Sequence, residues 1–180
     1  MKVIVEETNW DEFDTEIEEL IRNYKTDVPI GLLDLGNGKK WWHLYNHQVI
    51  QPSEKLMSKI FETIDKMIDN SELKYDLFQA WINQVSENTN QNDSFHRDVN
   101  KDVVFLHYPK CNEEFEGGEL QWVENENTPE QSIKELKPLS GKAHNVLLLE
   151  CPQHRVKNVT KGTRYSLIFF CHKRKDKRFL

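Results

Sequence analysis

SFHRDVNKDVVFLHY, residues 94–108, is the stretch on which the reading of this chain turns. His96 and Asp98 stand near its start with one residue between them. On an extended strand, residues i and i+2 project from the same side, so an imidazole and a carboxylate there can face one partner together. Such a pair suits iron, manganese or zinc, and the ion then needs a third ligand from elsewhere. His154 is the candidate, in HRVKNVTKGTRYSLIFF, residues 154–170, with Arg164 ten residues beyond it. HxD alone recurs by chance and reads first as a solvated loop pair. A lone histidine beside a strand is most often just a hydrogen-bonded residue. Order and setting shift that balance. HxD precedes a strand-like run, Gly117-Gly118 follows, His154 opens the penultimate strand and Arg164 opens the last.

Working outward, everything after Ser71 is strand-like. Runs at about 76–85, 101–108, 118–123, 132–137, 144–150, 154–159 and 163–171 are separated by turn-rich pieces such as SENTNQND and ENENTPEQ. Before Ser71 the pattern is helical. Asn9 with Glu12 resembles a capping box, and Phe13, Ile17, Leu20, Ile21 and Tyr24 follow as a stripe at spacings of three and four. Leu56, Met57, Ile60, Phe61, Ile64, Met67 and Ile68 make a second stripe, with Pro52 placed for its first turn. KVIVE, residues 2–6, predicts an edge strand, and VPIGLLDL, residues 28–35, another strand closed by Gly36-Asn37-Gly38. Two helices and about seven later strands predict an α+β fold, with the helices packed on a β-sandwich or jelly roll.

The chain has 180 residues, enough for one domain with one sizeable core, and no linker divides it. A net charge of −6 argues against a nucleic-acid-binding protein, the basic tail HKRKDKRFL notwithstanding. No apolar run is long enough to span a membrane, and the acidic N-terminus lacks a signal core. Cys111, Cys151 and Cys171 are odd in number and lack CxxC spacing, which predicts reduced thiols in the cytoplasm.

Two imidazoles and one carboxylate on one face of a metal leave three coordination positions open, which favours ferrous iron and oxygen chemistry. The open positions suit a bidentate 2-oxo acid and dioxygen. Arg164 supplies what such a co-substrate also needs, because a planar guanidinium grips a carboxylate through two parallel hydrogen bonds. The bland alternative is a surface arginine paired with Asp or Glu. Tyr165, Leu167, Ile168, Phe169 and Phe170 make its strand apolar on both faces, which weakens that alternative.

Taken together, HRD at 96–98, FEGGEL at 115–120 and HRVKNVTKGTRYSLIFF at 154–170 resemble the iron- and 2-oxoglutarate-dependent oxygenase superfamily, most of all its prolyl-4-hydroxylase-like branch. The resemblance spans about residues 76–172. It implies a double-stranded β-helix core, with helical support over about residues 9–70, in one domain covering 1–180. It implies Fe(II) on His96, Asp98 and His154, the distal carboxylate of 2-oxoglutarate on Arg164, dioxygen as the other co-substrate and ascorbate as a reductant. Family members often add a tyrosine on the strand after HxD. Tyr108 or His107 fits that role; strand parity admits only one, and Tyr108 is preferred. Trp81 and Asn83, on the strand before HxD, are lesser candidates for the same pocket and equally read as core packing. Asp98 stands where halogenating relatives have a small residue, so the resemblance implies hydroxylation of a C–H bond coupled to decarboxylation of the keto acid to succinate. A peptidyl or prolyl side chain is the expected substrate, with a free amino acid or small metabolite as the alternative. Trp41 and Trp42, in KKWWHLYNH, are candidate substrate-facing residues or interface filler. Other classes stay open at this stage: a jelly-roll module binding a metal or carboxylate without turnover, and a zinc hydrolase, which leaves Arg164 without a role.

Overall fold

A computed structural model of the chain describes residues 2–23, 42–44, 48–50, 52–68, 75–87, 94–98, 102–110, 114–139 and 141–173. In chain order the elements are β1 (Lys2–Thr8), α1 (Asp14–Asn23), β2 (Trp42–Leu44), β3 (Gln48–Ile50), α2 (Glu54–Ile68), β4 (Tyr75–Ser86), β5 (Val103–Tyr108), β6 (Glu116–Gly117), β7 (Leu120–Val123), β8 (Ile133–Leu136), β9 (Ala143–Leu149), β10 (His154–Val156), β11 (Val159–Lys161) and β12 (Thr163–Lys173).

The larger sheet has the antiparallel order β1-β9-β5-β12-β4. A second layer is formed by β10-β7-β8, with the short pair β11-β6 beside it. After β4 the chain crosses back and forth between the layers, with β5, β9 and β12 in the larger sheet and β6–β8 and β10–β11 on the second layer's side, the winding of a double-stranded β-helix. The fold is α+β, with helices on one face of the larger sheet.

The two faces of that sheet are written in the parity of β12. Leu167, Phe169 and Cys171 belong to the cluster under the helices, together with Phe105, Leu147 and Ile82. Ile168 and Phe170 belong to the cluster between the two layers, with Val104, Leu106, Val146 and Leu148. A strand buried on both faces reads as a continuous apolar run, which is why VVFLHY and YSLIFF show no alternation.

The helices follow from their stripes. In α2, Leu56, Ile60 and Ile64 are wholly buried against the sheet. Each such burial contributes about 1.5–3 kcal/mol before entropy is counted. Ser53 caps α2: its Oγ accepts from the Leu56 amide at 3.1 Å. Pro52, expected within the first turn, instead lies just before that cap, where its missing N–H costs nothing. The Glu16 carboxylate of α1 accepts from both Ser53 N (2.6 Å) and Ser53 Oγ (2.9 Å), tying the two helices together. Asn9 does not open α1 directly. Its Oδ1 accepts from Asp11 N at 3.0 Å, and a short 3-10 turn, Asp11–Phe13, precedes the α-helix. An Asx turn competes for the same amide that a cap would take.

The segment 2–6 expected as an edge strand is β1, at the edge of the larger sheet. The strand expected at 28–35, the turn at 36–38 and Trp41 lie outside the described residues. Trp42 opens β2, which pairs with β3 through Trp42↔Ile50.

Candidate metal and 2-oxo acid site

His96 and His154 are joined by backbone before any side chain is considered. They form an antiparallel bridge in which His96 N donates to His154 O and His154 N to His96 O, both at 2.9 Å. Directly opposed residues project to the same face, so the two rings lie side by side, centroids 4.6 Å apart. Asp98 is on the same side of its extended segment as His96, and Asp98 Oδ2 is 3.7 Å from His154 Nε2. One ligand atom from each of the three lies within 4.8 Å of the others. That is close to the about 4 Å two ligands of one ion can span when each bond is about 2.1 Å.

Both imidazoles are locked in one tautomer. His96 Nδ1 is 3.0 Å from Ser94 O, and His154 Nδ1 is 2.9 Å from Pro152 O. A carbonyl only accepts, so each Nδ1 carries the proton and each Nε2 keeps its lone pair. This is the outer-shell arrangement that metal-binding histidines need. Burial also pushes the His154 pKa below its ordinary value, favouring the neutral ring. His96 is exposed, Asp98 half-buried and His154 buried, so the cluster opens to solvent on one side.

Cys151, not singled out from sequence, packs behind this cluster. Its Sγ is 3.9 Å from both Asp98 Oδ2 and His154 Nδ1. Burial pushes the thiol up to about 11, so it stays protonated and donates toward Asp98. Glu150 and Cys151 both have positive φ, 58° and 31°, where the chain swings from β9 into β10.

Arg164 lies deeper between the layers and is 1% exposed. Among the described residues it forms no ion pair. Its Nη1 donates to the Tyr108 hydroxyl and to the Gly118 carbonyl, both at 3.3 Å, and its Nε is buried with no partner among the described residues. A guanidinium taken out of water with only neutral acceptors and an orphaned N–H is costly. The arrangement fits a carboxylate lying against it. Tyr108 is buried, and burial raises its pKa, with Arg164 opposing part of the rise. Its oxygen accepts from Arg164, which leaves its O–H free to donate to the same carboxylate. The Gly117-Gly118 pair makes the close approach possible. Gly118 has φ +71°, and a Cβ there would lie 3.1 Å from Arg164 Cδ.

Not every candidate from sequence joins this group. His107 points the other way, as β5 parity requires. It stacks on Trp10 at 4.2 Å and bonds Asn145 Oδ1 at 2.8 Å, under the helices. Asn83 pairs with Ser166 and is half-buried on the face that carries Arg164. Trp81 pairs in register with Ile168, and its side chain, like that of Trp42, lies outside the described residues.

No protein-family model and no curated protein sequence matches the chain. Solved structures do. An oxidoreductase of the 2OG-Fe(II) oxygenase family from Burkholderia pseudomallei matches with a TM-score of 0.62 at 16% identity, over 98% of this chain and 88% of that one. A Pseudomonas putida prolyl-4-hydroxylase gives 0.56 at 16% identity, again over 98% and 88%. The viral collagen prolyl hydroxylase of Paramecium bursaria Chlorella virus-1, in its 2OG complex, gives 0.54 at 14% identity, over 95% and 96%. At such identities the likeness concerns the fold: this chain has the jelly-roll architecture found in solved 2OG-Fe(II) oxygenases and prolyl hydroxylases.

Proposed function

We propose that this protein is an Fe(II)- and 2-oxoglutarate-dependent dioxygenase that hydroxylates an unactivated C–H bond. One observation carries the reading: an open His-Asp-His cluster and a buried arginine with no anionic partner among the described residues occur in one jelly roll. His96, Asp98 and His154 would hold Fe(II), which when bound supplies the oxygen chemistry.

The chain's own part follows from its geometry. The locked tautomers present two Nε2 lone pairs and one carboxylate, leaving the rest of the coordination sphere to small molecules. Arg164 and Tyr108 hold the far carboxylate of 2-oxoglutarate and so orient its keto-acid end. The apolar residues Ile168, Val146 and Leu148 exclude water around the methylene chain. Asp98 occupies the third ligand position with a carboxylate, so hydroxylation is favoured over halide transfer.

For the substrate we infer a peptidyl or prolyl side chain, supported by the likeness to two prolyl hydroxylases. Ascorbate as reductant and a cytoplasmic setting belong to the same proposal and rest on the sequence reading alone. No described helix is long and apolar enough to cross a membrane. Succinate release measured against prolyl peptides, free amino acids and nucleosides tests both levels. Release with a prolyl peptide supports the whole reading. Release only with a free amino acid keeps the dioxygenase and moves the substrate. No release with any of them, and no 2-oxoglutarate binding by iron-loaded protein, returns the chain to a metal-binding module.

A further inference from the structure

Tyr108 stands between two buried side chains, and each has an orphaned nitrogen. On one side is Arg164 Nε. On the other is His144, directly opposite Tyr108 in the pairing of β9 with β5. Val146 and Leu148, two and four residues further along β9, line the interior cluster with Tyr108, so strand parity turns His144 to the same interior face. His144 is 7% exposed, and its Nδ1 is buried with no hydrogen-bond partner among the described residues. Its neighbour on the far side, Glu7 of β1, is exposed, and that carboxylate is held by Lys142 Nζ at 3.1 Å.

A buried imidazole nitrogen without a partner is as anomalous as a buried guanidinium nitrogen without one. Both anomalies flank the same phenol, and one ligand with a terminal carboxylate answers both. We propose that His144 is a further co-substrate-contacting residue, whose ring donates a hydrogen bond to the 2-oxo acid gripped by Arg164 and Tyr108. The assignment rests on the dioxygenase reading above. A neutral ring suffices, since Nδ1–H is a donor and no proton is transferred. It widens a two-donor grip into three donors from three strands, β12, β5 and β9, and so selects for dicarboxylic 2-oxo acids.

The test uses the full chain loaded with Zn(II), which allows 2-oxoglutarate to bind without turnover. The ring ¹⁵N resonances of His144 should move when 2-oxoglutarate is added. In calorimetric titration, His144→Phe should weaken 2-oxoglutarate about tenfold or more, the loss expected for one hydrogen bond to a charged group. Zn(II) affinity should be unchanged, and His144→Gln, which keeps a donor, should stay within about threefold of the parent. If the unsubstituted protein binds 2-oxoglutarate while the His144 resonances stay still and His144→Phe binds as well as the parent, the assignment is overturned. If the unsubstituted protein binds no 2-oxoglutarate at all, the co-substrate reading falls first and His144's role with it. The resonance measurement needs no substitution, so a variant that fails to fold leaves the question decidable.

Discussion

His96 and His154, separated by most of the barrel in sequence, exchange both of their backbone hydrogen bonds with each other. The spacing of the two imidazoles is therefore a property of strand pairing rather than of side-chain flexibility. A metal meeting them finds two ligands already ordered, and little entropy remains to be lost.

This rigidity makes the ligand set separable from the fold. His154→Ala and Asp98→Ala should each remain folded, because the backbone bridge survives either change. Each should lose Fe(II) affinity by at least about tenfold to a hundredfold. Under anaerobic conditions the parent with Fe(II) and 2-oxoglutarate should develop a weak visible charge-transfer band, and His154→Ala should show none. A full-strength band in either variant would remove that residue from the ligand set.

In the proposed reading Arg164 holds the other end of the keto acid. Arg164→Ala should raise the 2-oxoglutarate Kd by about a hundredfold, corresponding to roughly 3 kcal/mol for a charge-assisted contact, with Fe(II) binding retained. Equal loss of both affinities, measured by titration, would make the arginine structural.

Gly118→Ala probes the same grip from the backbone. An added Cβ would sit 3.0 Å from Val159 Cγ2 and 3.1 Å from Arg164 Cδ, at φ +71°. Backbone strain alone should cost about 1–2 kcal/mol of stability. The displaced guanidinium should weaken 2-oxoglutarate further than that strain explains. A variant with parental Tm and parental Kd would contradict the close packing.

On the opposite face of the sheet, Ile60→Ala should cost about 2–5 kcal/mol by leaving a cavity under α2. Its 2-oxoglutarate Kd should be unchanged, because Ile60 belongs to the helix-side cluster. Urea unfolding and calorimetry measure the two quantities independently.

His107 predicts an acid-labile fold. Burial brings its pKa down to about 4 from 6.5, opposed in part by the bond to Asn145. The folded ring is neutral while the unfolded one takes up a proton, so stability is fully present above about pH 6.5 and falls as pH drops toward 4. At about 1.4 kcal/mol per pKa unit the loss totals roughly 3 kcal/mol. His107→Phe keeps a flat ring against Trp10 and should flatten that slope, read as urea midpoints across pH 4–7. A parental slope in the variant would assign the lability elsewhere.

Much of this was legible in the residues because strand parity is strict. Once the run after HxD is read as a strand, Tyr108 has to face one way and His107 the other. The stripes of α1 and α2 were equally plain. Three features were not. The Ser94 and Pro152 carbonyls that fix the histidine tautomers carry no side-chain signature. Cys151 reaches the cluster only because Glu150 and Cys151 adopt positive φ, which their residue types do not advertise. His144 looked like one more residue in a strand-like run, since sequence cannot say that a ring nitrogen lacks a partner.

β12 carries Arg164 and Ser166 on one face and the helix-contacting Leu167 and Phe169 on the alternate one. A single residue gained or lost between Thr163 and Phe170 would turn the guanidinium outward and drive aromatic bulk into the ligand cavity at one stroke. Natural variation in the length of this protein should therefore gather in surface turns such as 125–131 and be absent from that strand.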